Sequence, residues 1–129
     1  MLIAQMSPFP TIAACLALGL VAMATAKPTL HVIGDSTVRN STQGQRGWGD
    51  PLVRHFDPAR ISVSNRAIGG RSSRTFLTEG RWDAVVAHLK PGDHVLIQFG
   101  HNDGGPINDG RARASLRGNG DEGQTITRK

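Results

Sequence analysis

The chain is 129 residues long, carries a net charge of +5 and contains one cysteine and no tyrosine. This length accommodates one modest domain, and a single cysteine excludes an internal disulfide framework. The positive charge comes almost entirely from arginines scattered along the chain, without a platform of aromatic and basic residues. The pattern therefore predicts a solvated surface and no nucleic-acid partner.

The first 26 residues contain no charged side chain, and residues 11–23 form an apolar stretch. That stretch has the length of a signal-peptide h-region and is shorter than the roughly 20 residues needed to cross a bilayer. Ala24 and Ala26 form an Ala-x-Ala pattern, so we predict that residues 1–26 are a signal peptide cleaved after Ala26. The mature protein would then be secreted or periplasmic and not membrane-bound. Because no Lys or Arg precedes the stretch, a buried N-terminal helix is the alternative.

The only cysteine, Cys15, lies inside the apolar stretch, so the processed chain would carry no thiol. Cysteine catalysis and cysteine-ligated zinc are therefore excluded for the mature protein. A lipoprotein cysteine would follow the apolar run, whereas residues 16–20 continue it. We expect no lipid anchor.

Three short apolar runs in the mature chain predict β-strands at residues 30–33, 61–65 and 95–99. Helical signals separate these runs, so the order is strand, helix, strand, helix, strand. This alternation predicts an α/β domain with a parallel sheet, flanking helices and right-handed crossovers.

The helical signals are of two kinds. Asp50-Pro51 has the pattern of an N-cap followed by proline, and predicts a helix that ends near Asp57-Pro58. Ser72 or Ser73 is predicted to cap a second helical segment that reaches Glu79. A third helix is predicted from one apolar face that ends before Pro91-Gly92 and consists of Trp82, Val85, Val86 and Leu89.

The alternation stops after the third strand. Residues 104–129 are rich in Gly, Asn and Arg and have no apolar period. A structureless segment of this length is unusual in a compact domain. We therefore interpret residues 27–105 as the N-terminal part of a domain and residues 106–129 as a loop-like tail of a truncated chain.

Polar residues and glycines follow each predicted strand, where open α/β folds bind their ligands. Ser36 follows the first strand, Gly70 follows the second and Asn102 follows the third. Acyl transfer needs a nucleophile and donors aimed at the developing oxyanion. We predict that Ser36 is the nucleophile, and that its own N–H, the Gly70 N–H and the Asn102 amide form the oxyanion hole.

These motifs resemble the first three blocks of the SGNH or GDSL hydrolase family, over roughly residues 29–105. Within that family they are similar to rhamnogalacturonan acetylesterases, on Gly34-Asp35-Ser36-Thr37, Gly47-Trp48-Gly49, Gly70-Arg71-Ser72-Ser73-Arg74 and Phe99-Gly100-His101-Asn102-Asp103. The resemblance implies a three-layer, flavodoxin-like α/β fold, of which this chain holds the N-terminal portion. It also implies a serine esterase that removes O-acetyl groups from a pectic polysaccharide, without a metal or other cofactor, and that is a monomer when complete.

The family's fourth block, an Asp-x-x-His that supplies the general base and its orienting group, has no match in the 129 residues. The chain as given is therefore expected to be inactive. His101 lies beside Asn102 and is the only substitute base in the site loop, although the resemblance assigns it to the third block. We expect structural or exposed roles for the other histidines, His31, His55, His88 and His94.

Charged residues near the motifs suggest two further roles. Arg71 and Arg74 could bind the carboxylates of an acetylated acidic polysaccharide, because a guanidinium binds a carboxylate through two hydrogen bonds, or they could be structural. Asp35 and Asp103 could form a carboxylate pair or a metal site, but Asp103, Asn108 and Asp109 do not have the spacing of a calcium loop. Turn and loop hydrogen bonding by Asp35 and Asp103 is therefore the favoured interpretation, and no metal site is predicted.

Two other functions stay open at this point. The same site could act on a different ester, such as acetyl-xylan, a lipid or peptidoglycan, because a fold does not fix its substrate. Alternatively, the chain could be a non-catalytic fragment that binds carbohydrate. Turnover of a small acetyl ester would separate an enzyme from a binding fragment.

Overall fold

The computed structural model describes residues 26–108, 112–118 and 121–125. The predicted signal peptide, apart from its last residue, lies outside the described residues. None of the helices in the described ranges is long and apolar enough to cross a membrane.

A three-stranded parallel sheet forms the centre of the structure. Strands β1 (Thr29–Gly34), β2 (Ser62–Asn65) and β3 (His94–Gln98) are arranged in the order β2-β1-β3. β1 pairs in parallel with both neighbours, with Leu30 opposite Val63 and Ile33 opposite Ile97. The predicted parallel α/β arrangement is confirmed, and each strand lies within one residue of its predicted bounds.

A short 3₁₀ helix, Pro51–His55, connects β1 to β2. The sequence predicted Asp50 at the N-cap and Pro51 at the first helical position, and both positions are confirmed. The predicted length was wrong, since the helix was expected to reach Asp57-Pro58. The Asp50 side chain makes no cap hydrogen bond and instead accepts one from Asn65 Nδ2 at 3.0 Å. The helix ends early because Asp57 precedes a proline, which disfavours helical backbone, and its carboxylate accepts the Ala59 N–H at 2.9 Å.

Two α-helices, α1 (Ser73–Thr78) and α2 (Arg81–Val86), connect β2 to β3. Ser72 caps α1 in a reciprocal capping box with Thr75, with backbone-to-side-chain bonds of 3.1 and 2.8 Å. The predicted cap is thus Ser72 and not Ser73.

Apolar side chains pack on both faces of the sheet because neighbouring residues of β1 point to opposite sides. On one face, Val32 packs with Val38 and Ala67. On the other face, Ile33 packs with Phe76 of α1 and Val85 of α2, joined at the edge by Trp82 and Leu89. Val86, predicted on the same helix face, is 47 % exposed.

The described residues after β3 contain no helix or strand, yet parts of them are fixed to the domain. Ala114 is buried, and its carbonyl accepts a hydrogen bond from Arg74 Nε at 2.6 Å. Ser115 donates its hydroxyl to Asp103 at 2.7 Å. The segment 112–118 therefore lies against the start of α1, close to the ends of β2 and β3.

Candidate active site

A tight turn presents Ser36 directly after β1. The buried Asp35 carboxylate accepts two hydrogen bonds from Thr37, from its N–H and its hydroxyl, each at 2.8 Å. The Asp35 carbonyl accepts the Val38 N–H at 3.2 Å. These bonds close one turn of helical shape and leave Ser36 partly exposed at the carboxyl edge of the sheet.

The Gly69-Gly70 pair lies against this turn. A Cβ built on Gly69 would be 3.5 Å from the Ser36 Cβ. Gly70 has φ +79°, a backbone conformation that favours glycine because a side chain would strain it. The structure therefore brings the second motif next to the serine, as an oxyanion donor requires.

Asn102 joins the third motif to the second. Its side chain is 3 % exposed, and its Nδ2 donates to the Arg71 carbonyl at 2.9 Å. A primary amide has two N–H donors, and in the described part of the chain only this bond from Nδ2 is found. The second N–H of this amide has no partner among the described residues.

Ser36, Gly70 and Asn102 line one open cavity of about 610 Å³. The loops that follow three different strands contribute these residues, which is the arrangement that the sequence predicted. Their catalytic roles stay predictions. The remaining lining residues are polar or charged almost throughout, namely Asn40, Ser41, Thr42, Gln45, Gly69, Arg71, Thr75, Glu79, His101 and Arg113.

The Asp103 carboxylate connects the start of α1 to the segment 112–118, next to the cavity. Its Oδ1 accepts the Ser73 N–H at 2.9 Å, the Ser115 hydroxyl at 2.7 Å and the Ser73 hydroxyl. Burial raises the pKa of this carboxyl, but the bonds from Ser73 and Ser115 outweigh burial and hold the pKa below its usual value. Asp35 and Asp103 both act in turn and loop hydrogen bonding.

The two predicted substrate-binding arginines are in different environments. Arg71 lines the cavity, but its Nε pairs with Glu79 Oε2 at 3.1 Å. Burial raises the pKa of Glu79, while hydrogen bonds from Arg81 and Arg71 lower it further than burial raises it. Arg74 does not line the cavity, and it donates to the carbonyls of Ala112 and Ala114. Substrate binding by either residue stays a prediction.

Arg113 is a lining residue that the sequence did not indicate. Its Nη1 lies 3.5 Å from the Gly70 carbonyl oxygen. It belongs to the segment without apolar periodicity, and one arginine among twelve carries no signal of its position. The contacts of that segment with α1 and with Asp103 bring Arg113 to the cavity.

Two histidines take contrasting positions. His31 is buried and pairs with Asp93 at 3.4 Å, which is a structural role. His101 is exposed and lines the cavity beside Asn102. Among the described residues, no group of three His, Cys, Asp or Glu side chains could hold a metal ion.

Residues 32–125 match the model of the GDSL-like Lipase/Acylhydrolase family. The chain is 45 % identical over 94 residues to a rhamnogalacturonan acetylesterase of Emericella nidulans, covering 73 % of this chain and 36 % of the relative. It is 47 % identical over 76 residues to the probable rhamnogalacturonan acetylesterase YesY of Bacillus subtilis, covering 57 % of this chain and 35 % of YesY.

A solved structure is also similar. The X-ray structure of YxiM from Bacillus subtilis matches with a TM-score of 0.55 and 38 % sequence identity, covering 60 % of this chain and 23 % of that one. The chain thus spans about a third of the length of the two acetylesterases and less of YxiM.

Proposed function

Because this chain belongs to the GDSL-like lipase/acylhydrolase family, which it matches over residues 32–125, we propose that it supplies the nucleophile and oxyanion hole of an exported carbohydrate esterase. The proposed reaction removes O-acetyl groups from a pectic polysaccharide of the rhamnogalacturonan type. Support for the substrate class comes from the names of two similar proteins. Support for export comes from the apolar stretch and the Ala-x-Ala pattern that follows it.

The observation that carries this proposal is the shared cavity of Ser36, Gly70 and Asn102. In the proposed reaction, Ser36 Oγ attacks the acetyl carbonyl carbon and loses its proton to a general base. The carbonyl oxygen becomes an oxyanion that accepts hydrogen bonds from the N–H groups of Ser36 and Gly70 and from the free N–H of Asn102. The C–O bond to the sugar then breaks, and the sugar oxygen takes the proton. Water hydrolyses the acetyl-serine to acetate and restores the Ser36 hydroxyl.

The general base of this reaction is not assigned to any of the described residues. The family resemblance implies an Asp-x-x-His block, and the 129 residues contain none. Without a base a serine hydroxyl is a weak nucleophile, so we propose that these residues alone bind the substrate without efficient turnover. A carbohydrate-binding chain with no catalysis is the second candidate, and the polar lining of the cavity is the observation that supports it.

A chimera with a relative tests the proposal. In YesY, the region that aligns with this chain is replaced by the corresponding residues of this chain, and acetate release from acetylated rhamnogalacturonan is measured. We expect the chimera to release acetate. Ser36→Ala should lower the rate by a factor of about 10⁴ or more, as for a catalytic triad serine.

Two controls complete this test. Ser41→Ala changes another hydroxyl that lines the same cavity and should leave most of the rate. The 129-residue chain alone should release no acetate above background. Full activity of the Ser36→Ala chimera would refute the nucleophile assignment, and rapid turnover by the unmodified chain would make His101 the candidate base.

A further inference from the structure

Arg113 lies next to Gly70, and the segment 112–118 that carries it is bound to the rest of the domain. Arg74 donates to the carbonyls of Ala112 and Ala114, on either side of Arg113. Ser115 donates to Asp103 at 2.7 Å and accepts the Arg74 N–H at 3.2 Å. Because its neighbours are anchored in this way, Arg113 is positioned at the cavity by hydrogen bonds that do not involve its own side chain.

The Arg113 guanidinium has few partners of its own. The contact found is the 3.5 Å approach of Nη1 to the Gly70 carbonyl oxygen, which is at the long limit for a hydrogen bond. A guanidinium has five N–H donors. Most of them are therefore available to a ligand in the cavity.

The charge of Arg113 is also unbalanced, in contrast to that of Arg71. Arg71 pairs with Glu79 at 3.1 Å and also donates to the Gly69 carbonyl at 3.2 Å. Within the described ranges, no carboxylate pairs with Arg113. Among the described residues that line the cavity, Glu79 is the only acidic one, so Arg71 and Arg113 together leave this lining with an excess positive charge.

We propose that Arg113 is a specificity-determining residue that binds a carboxylate of the substrate, beside the acetylated sugar. The group that Arg113 would bind is the carboxylate of a uronic acid in the polysaccharide already proposed as the substrate. This inference rests on the proposed function for the identity of the cavity. The planar fork of a guanidinium matches a carboxylate through two parallel hydrogen bonds, and Arg113 has the free donors for such a pair.

Binding measurements on the full 129-residue chain test the inference without requiring catalysis. The probes are digalacturonate and its dimethyl ester. They have the same sugar rings, and both carboxyl groups are charged in the first and neutral in the second. Isothermal titration calorimetry gives the Kd of each probe. We expect the acid to bind at least about tenfold more tightly than the ester at low salt, and the preference to decrease as salt screens the charges.

Three variants distinguish Arg113 from charge in general. Arg113→Gln should abolish the preference for the acid and leave the Kd of the ester within about twofold. Arg113→Lys should keep part of the preference because it keeps the charge and loses the fork. Arg117→Gln removes a charge from the same segment outside this cavity and should keep the full preference. Circular dichroism and thermal unfolding establish that each variant is folded.

The possible failures are distinguishable. No preference in the original chain, or an unchanged preference in Arg113→Gln, would overturn the inference even if the chimera releases acetate. A chimera that releases no acetate would count against the proposed function, while a preference that depends on Arg113 would still assign the carboxylate site.

Discussion

At the scale of single residues, close packing fixes the turn that carries Ser36. Gly34 ends β1 beneath this turn, and a Cβ built on it would lie 2.5 Å from Val38 Cγ2 and closer still to the carbonyl oxygen of Gln98. The Gln98 carbonyl belongs to the backbone of β3 and cannot move without disturbing the sheet. The first residue of the Gly-Asp-Ser motif is therefore set by packing between two strands.

We predict that Gly34→Ala lowers the free energy of unfolding by about 1–3 kcal/mol, the usual range for overpacking. Gly104→Ala is the matched control, since its added Cβ meets nothing within 4 Å and should change stability by less than about 0.5 kcal/mol. Urea unfolding measures both. Equal stability of the two variants would contradict the packing at Gly34.

Asp103 makes a second residue-level prediction, on pH. Its pKa is lower in the folded protein than its usual value, so the unfolded chain binds more protons. The stabilisation is present above the unfolded pKa of about 3.9 and is lost as pH falls through the folded pKa.

We expect Asp103→Asn to unfold more easily near neutral pH and to lose less stability than the original chain between pH 5 and pH 2. Thermal unfolding across that range measures the difference. Asp83→Asn removes the same charge from an exposed position of α2 and controls for net charge. An identical acid dependence in Asp103→Asn and the original chain would contradict the role of the Ser73 and Ser115 hydrogen bonds.

At the scale of elements, local signals were sufficient for the strands and for α1. Short apolar runs located β1, β2 and β3, and a serine before an apolar segment indicated the cap of α1. The start of the 3₁₀ helix was predicted, but the partner of the Asp50 side chain was not, because Asp50 bonds to Asn65, a residue outside its local sequence. Arg113 was missed for the same reason, since the bonds that hold its segment join residues about 40 positions apart.

The strand β3 combines apolar side chains with high exposure. Leu96 is 42 % and Ile97 is 56 % exposed, and Ile97 borders an apolar cavity of about 210 Å³ that Phe76, Trp82 and Phe99 also line. In the described part of the sheet, β3 pairs with β1 alone. An exposed apolar edge strand is prone to association.

We therefore predict that the 129-residue chain binds an apolar fluorescent dye and that Ile97→Lys reduces this fluorescence severalfold. Val53→Lys introduces the same side chain at a similarly exposed position, 52 %, on the 3₁₀ helix, and should leave most of the signal. A similar decrease in both variants would show that β3 is not the dye-binding surface.

At the scale of the whole molecule, the sheet gathers three separate motifs into one site. The sequence predicted Ser36, Gly70 and Asn102 after the carboxyl ends of three strands. Because a parallel sheet brings these ends to one edge, the three residues line the same cavity. The position of Arg113 depends on contacts that no local pattern contains. Its proposed carboxylate-binding role arises from tertiary anchoring of an aperiodic segment.

The most direct test of the central claim is to trap the acetyl-enzyme. The chimera is mixed with acetylated rhamnogalacturonan, quenched in acid after a few turnovers and digested for peptide mass spectrometry. We predict one acetyl group on the peptide that contains Ser36, at the Ser36 hydroxyl, and none in the Ser36→Ala chimera. Acetate release with the acetyl group on another residue, or with no acetylated peptide in any quenched sample, would contradict the assignment of Ser36 as the nucleophile.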